Sequence, residues 1–481
     1  MRNKLQKFTA FADTLLPHET EYLLSVQRFD DDERLAILRL IDYNCRNIYQ
    51  FTPYGEEIDK RKYSHLKNWI TEQLRSIDVD VHFEWIMETE RRIMTDVILP
   101  EEEKGLLKSI RNYRHPIFFF TQFYELAQNY RHFLLIRLRY ADHALVDAFL
   151  NNYRTDYLRS KEINDKINLA TIDIVEQYQS NLKESIQWEE WLKEVYYDEQ
   201  LDGLNRYLAL VRLTFIGLNY RKLDSLVSKF EYQDELFKKG AYYSKRILLN
   251  YYSNRLLLHS KFKEFDKAAY YGRLSVRVKN HDYLFYVTNL CAVLLRQGKA
   301  VEALAVMKSA SAEARTTQNL HSKVGYVAFY IECMNQNGRF RNAENYAHSF
   351  LQAYKKEIFE YRWHIFFSAY LEAILQQHKF HKILQLVHQH RLLDKEKQYQ
   401  ANANYLPTIL WYYAAAEYLE GLIKEKELSQ ILLEFVEKLD GASGKTRHVV
   451  DLLKQLKPHI PVSVDKTQDR MVEKGLLVFK F

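Results

Sequence analysis

The sequence predicts an all-α protein, on three observations: where its prolines stand, how few glycines it has, and how little strand punctuation it carries. The seven prolines lie at 17, 53, 100, 116, 407, 458 and 461, so residues 117–406 contain none. Proline removes a helix hydrogen bond and clashes with the preceding turn, so a long proline-free run with few glycines favours helix throughout. Strand signals are scarce, because no Asn-Gly or Asp-Gly pair lies between alternating apolar runs. Asp202-Gly203, Asn337-Gly338 and Asp440-Gly441 each follow a helical pattern instead.

Taking the chain in order, residues 1–203 are expected to form a helical N-terminal region. Asp30-Asp31-Asp32-Glu33 precedes the apolar series Leu35, Leu38, Ile41, an acidic helix start of the kind the macrodipole favours. Thr52-Pro53-Tyr54-Gly55 reads as a turn, and Leu99-Pro100-Glu101-Glu102-Glu103 opens a further helix with proline and acids in its first turn. His115-Pro116 ends that helix, and the segment from Ile117 to Tyr153 is one very long helix or two. Residues 160–181 carry Ile163, Ile167, Ile174 and Tyr178 along one helical face. Trp188 and Trp191 follow in a helix with Glu189, Glu190, Lys193 and Glu194.

From residue 204 to 440 a period emerges. Leu223-x-x-Leu226, Phe265-x-x-Ala268, Gly298-x-x-x-Glu302-Ala303, Gly338-x-Phe340-x-x-Ala343, Phe380-x-x-Ile383 and Leu428-x-x-Ile431 mark successive turns, their final residues 42, 35, 40, 40 and 48 apart. An apolar helix precedes and follows each mark, so each unit is a helix-turn-helix of the size found in helical solenoids. A small or apolar residue three positions after an aromatic lets the second helix start close against the end of the first. Residues 441–481 are expected to hold a terminal helix broken at Lys457-Pro458-His459-Ile460-Pro461, then an extended tail, GLLVFKF, docked on the body.

These marks resemble the tetratricopeptide-repeat family. In 323–355, Tyr330, Ile331, Met334, Gly338, Phe340 and Ala343 fall where that family places its large, small and turn residues; in 283–315 Leu290, Leu294, Gly298, Ala303, Met307 and Ala310 do so. No unit carries the family's closing proline, and most periods exceed the family's usual length. The resemblance covers about half the chain and implies an α-α superhelix whose concave face binds partners.

Composition narrows the function. With 47% apolar and 27% charged residues the 481-residue chain has the balance of a folded protein, and 36 Tyr and 27 Phe suit closely packed helix pairs. Lys and Arg number 69 against 63 Asp and Glu, too slight an excess for a nucleic-acid-binding face. Cys45, Cys291 and Cys333 form no C-x-x-C pair, which argues against a disulfide framework or zinc ribbon and fits a reducing cytoplasm. The N-terminal MRNKLQKFTAFADTLL lacks the apolar core of a secretory signal. The longest apolar run, Ile409 to Ala416, is eight residues against the roughly 20 that span a bilayer.

No catalytic constellation stands out. Gly441-Ala-Ser-Gly444-Lys445-Thr446 lacks the first glycine of a phosphate loop, since position 439 is Leu. His378, His381, His388 and His390 have no carboxylate or cysteine at ligand spacing and read as a solvated helix end. Tyr130, Arg131, Arg137, Arg139 and Tyr140 interleave basic and aromatic groups, but Phe133, Leu134, Leu135, Ile136 and Leu138 share the segment; a buried helix with arginines at its edges is expected. Cys291 reads as a small buried hydrophobe.

Counting eleven residues back from Ala343, Ile383 and Ile431 lands on Glu332, Glu372 and Glu420. The resemblance places that position on the concave groove, where three carboxylates would form an acidic column with Asn335 and Ser368 as polar neighbours and Tyr413 as an aromatic contact. The expected function is a non-enzymatic, cytoplasmic scaffold or regulator that holds a basic peptide or a helix of another protein, with no cofactor and no metal. The alternatives are a nucleic-acid-associated helical repeat, or an enzyme with its site in the N-terminal region.

Overall fold

A computed structural model describes residues 5–180, 184–220, 222–400, 405–439 and 445–479. Those residues form helices joined by turns, with no strand among them. Two compact units are formed: Met1–Glu264 with Arg273–Asn280, and Phe265–Gly272 with His281–Phe481.

In the first unit, local signals set the helix ends. Asp31 caps Asp32–Arg46 by accepting from the Glu33 and Arg34 amides, and Pro100 starts Pro100–Arg111 while the Glu102 carboxylate takes the Leu99 amide at 2.9 Å. The segment after Pro116 is two helices, Phe120–Ile136 and Tyr140–Asn152. Arg154–Ser180 follows as a 27-residue helix, packed on Gly203–Tyr220 through Ile167 and Ile174. Trp188 closes a short 3-10 turn and Trp191 lies in Glu189–Tyr197. The helix Pro17–Val26 packs on Asp224–Lys238, held by a part-buried network: His18 Nε2 meets Asp234 Oδ1 at 2.9 Å and His18 Nδ1 meets the Tyr252 hydroxyl at 2.6 Å. Asp234 also accepts from Tyr251 at 2.6 Å and pairs with Arg255. Such an Asp–His–hydroxyl row has the shape of a catalytic relay, but Tyr252 is fully buried, so the row ties helices together.

The second unit is built from helix pairs: Tyr283–Arg296 with Ala300–Ser309, Leu320–Gln336 with Phe340–Ala353, Trp363–Leu375 with Phe380–Gln389, and Thr408–Leu419 with Glu425–Glu437. Each first helix packs on its own second helix and on the next first helix. The turn marks do what their chemistry requires. Gly298 and Gly338 sit at φ +74° and +68° with open space where a Cβ would be, so the backbone conformation alone demands glycine. Ala303, Ala343 and Ile383 are buried against the preceding helices. Buried tyrosine hydroxyls in the unit find partners, as Tyr326 does at Met307 O, 2.7 Å.

Two expectations are corrected. The break at Lys457–Pro461 is followed by a second helix, Pro461–Glu473, with proline at its first position. Beyond it Leu476 and Leu477 are half-buried but Val478 and Phe479 are exposed, so the described end of the tail is not docked. The Gly441–Gly444 stretch lies outside the described residues.

Candidate functional site

The second unit brings Glu332, Asn335 and Glu372 together. Leu320–Gln336 and Trp363–Leu375 pack side by side, and Asn335 Nδ2 crosses between them, donating to the Ala369 carbonyl at 2.8 Å and to Glu372 Oε2 at 3.1 Å. Glu372 is buried and hydrogen-bonds the Glu332 carboxyl. Burial, and after it the neighbouring Glu332, holds the Glu372 carboxyl protonated well above the usual carboxylate range, against the opposing Asn335 bond. Glu332 is half-buried and accepts from Gln336 Nε2 at 3.0 Å. Only one of the two acids therefore reaches solvent.

The row continues, but not to Glu420. Tyr412, on Thr408–Leu419, is fully buried; burial first, then Glu372 and Glu332, keeps its hydroxyl protonated. That hydroxyl donates to Gln455 Oε1 at 2.6 Å, and the Gln455 carbonyl accepts from Gln376 Nε2 at 3.1 Å. A polar line thus threads Leu320–Gln336, Trp363–Leu375, Thr408–Leu419 and Thr446–Leu456. Glu420 is the exposed C-cap of Thr408–Leu419. Ala343 and Ile383 are the fourth residues of their helices, whereas Ile431 is the seventh of Glu425–Glu437, and this later mark carries the counted position past the end of Thr408–Leu419. Leu428 and Leu432 are buried in that second helix, whereas Ile431 is half-buried.

Ser368 spends its hydroxyl on the His364 carbonyl at 2.7 Å, one turn back on its own helix. Tyr413 meets His388 Nε2 at 3.0 Å, and burial, aided by Glu417, pushes its hydroxyl up to about 12. The histidine quartet is dispersed. His390 is buried against Phe359 and Phe367 rather than solvated, and His378 faces His459 with ring centres 4.9 Å apart. Cys291 is buried as expected, with its sulfur 3.2 Å from that of Cys333 on the next first helix. Tyr412, Gln455 and this thiol contact were not foreseen, because each lies outside the counted register.

No protein-family model matches the chain, and neither does any curated protein. No described helix is long and apolar enough to cross a membrane.

Proposed function

We propose that the chain is a non-enzymatic cytoplasmic scaffold. Its helix pairs stack as a tetratricopeptide-like α-α superhelix, and the face lined by the first helices holds a basic peptide or the helix of another protein. The observation that carries this reading is the packing order in residues 281–437, where each of the first three first helices packs on its own second helix and on the next first helix. Such stacking leaves the inner faces of the first helices as one continuous surface. On that surface Glu332 offers a carboxylate oriented by Gln336 and by the protonated Glu372. The acidic contact is therefore narrower than a three-carboxylate column: Glu332 is its centre, and Glu372 serves as a neutral, buried support.

A display selection of helical peptides on the full chain tests this, each hit being re-measured on Glu332→Lys. The expected hits are rich in Lys or Arg and bind about tenfold or more weakly to the variant, since one reversed charge costs a few kcal/mol at a partly desolvated pair. Hits without basic residues, or hits indifferent to Glu332→Lys, would overturn the reading.

A further inference from the structure

Two neighbouring helix ends in the first unit present an apolar surface that the fold leaves open. Val79–Met94 and Phe120–Ile136 pack side by side, and their C-terminal turns are joined where Arg137 Nη2 donates to Asp96 Oδ1 at 2.6 Å. Both turns close with the same pair of backbone bonds: Val97 N to Arg92 O and Asp96 N to Ile93 O in one, Arg139 N to Leu134 O and Leu138 N to Leu135 O in the other. This closure needs a left-handed residue, ordinarily glycine, as at Gly298 and Gly338. Here the positions hold Asp96 and Leu138, each at φ +57°. Leu138 is 68% exposed and Ile136 77%, with Met94, Val97, Leu99 and Tyr140 exposed beside them. A leucine in the left-handed region strains the backbone, and one whose side chain stands in water recovers nothing for it within the described fold.

We propose that this face pairs two copies of the chain. The six side chains together expose on the order of 700 Å², close to the roughly 800 Å² each partner contributes to an interface of standard size. The rim carries both signs, three arginines already paired with five carboxylates: Arg92 pairs with Glu88 at 2.7 Å and with Glu102, Arg139 with Glu103 and with Asp142 at 2.7 Å, and Arg137 with Asp96. A rim in which acids outnumber arginines offers no attraction to an anionic lipid surface or a nucleic acid. Under a two-fold axis the same rim is self-complementary, an arginine of one copy facing an acid of the other around an apolar centre.

Sedimentation velocity of the full chain over a wide concentration range, alone and as Leu138→Gly and Ile136→Glu, tests the proposal. The expected result is a reversible dimer whose dissociation constant rises about tenfold or more in each variant. Leu138→Gly suits the turn's own geometry, so its monomer should unfold at an unchanged or higher temperature, which separates lost pairing from lost folding. A wild-type chain that stays monomeric throughout would overturn the proposal, as would a dimer indifferent to both substitutions. Co-sedimentation with anionic vesicles that Ile136→Glu abolishes would assign the face to a lipid surface and overturn it equally.

Discussion

A carboxyl group shut away from water keeps its proton, and Glu372 does so beside a second acid. In the unfolded chain it ionises at the ordinary value, about 4.3. Its folded value is raised, so the stability it contributes is complete below pH ~4.3 and is lost as pH rises from there through the folded value. Glu372→Gln keeps the shape, the Asn335 bond and a donor for Glu332 without that loss. It should raise stability by about 1 kcal/mol or more at pH 8 and leave it nearly unchanged at pH ~4. Denaturant unfolding at the two pH values measures this; an equal effect at both would show that Glu372 is not held protonated. None of this is legible in the sequence. The apolar neighbours Leu371, Ala373, Ile374 and Leu375 point to a buried helix, but glutamate is a strong helix former that mostly occupies solvated faces, and no neighbour says that Glu372 keeps its proton or that Glu332 shares its site. Leu138 is the opposite case: a residue with no left-handed preference in a left-handed turn, at a strain of roughly 1–2 kcal/mol.

Helices and turns were far easier to read than side-chain environments, for a physical reason. Proline and glycine act through the backbone, so their effect is local: Pro100 and Pro461 start helices, and Gly298 and Gly338 end them. The segment 117–153 left one helix or two open because its break has no such residue, only Leu138. Residues 133–140 read as buried since apolar side chains fill them, yet Leu135, Ile136, Leu138 and Tyr140 are exposed at the helix end. Between helix pairs, long polar side chains supply register that no period encodes. Glu344, on Phe340–Ala353, accepts from Lys379 at 2.5 Å, Lys382 at 2.6 Å and Gln377 at 2.8 Å. Burial would raise its carboxyl, but these three bonds together hold it below the usual range. Its contribution is therefore present above pH ~4.3 and lost as pH falls through the depressed value. The lysines are part-exposed, so solvent screening limits the effect: Glu344→Gln should cost about 1 kcal/mol at pH 7 and clearly less at pH ~3. Thermal unfolding at both values measures it, and a cost undiminished in acid would show that the clasp acts through packing instead.

At the scale of the molecule, two units carry two separate surfaces: the exposed helix ends of the first, proposed to pair copies, and the first-helix face of the second, proposed to hold a peptide. The all-α class was legible because the absence of proline and of strand punctuation is a property of the whole chain. The acidic column was legible only in part. Counting back is sound while the mark keeps its place in the second helix, and it fails at Glu420 because Ile431 lies one turn further along its helix than Ala343 and Ile383 do; Tyr412 and Gln455 continue the line instead. The central claim is that a basic helix or peptide lies along Leu320–Gln336 and its neighbouring first helices. Hydrogen exchange of the full chain, with and without the tightest peptide selected, tests it most directly. Slowed exchange confined to Tyr283–Arg296, Leu320–Gln336 and Trp363–Leu375 is the expected result; slowing in the second helices Ala300–Ser309 and Phe340–Ala353, or in residues 5–264, would contradict it.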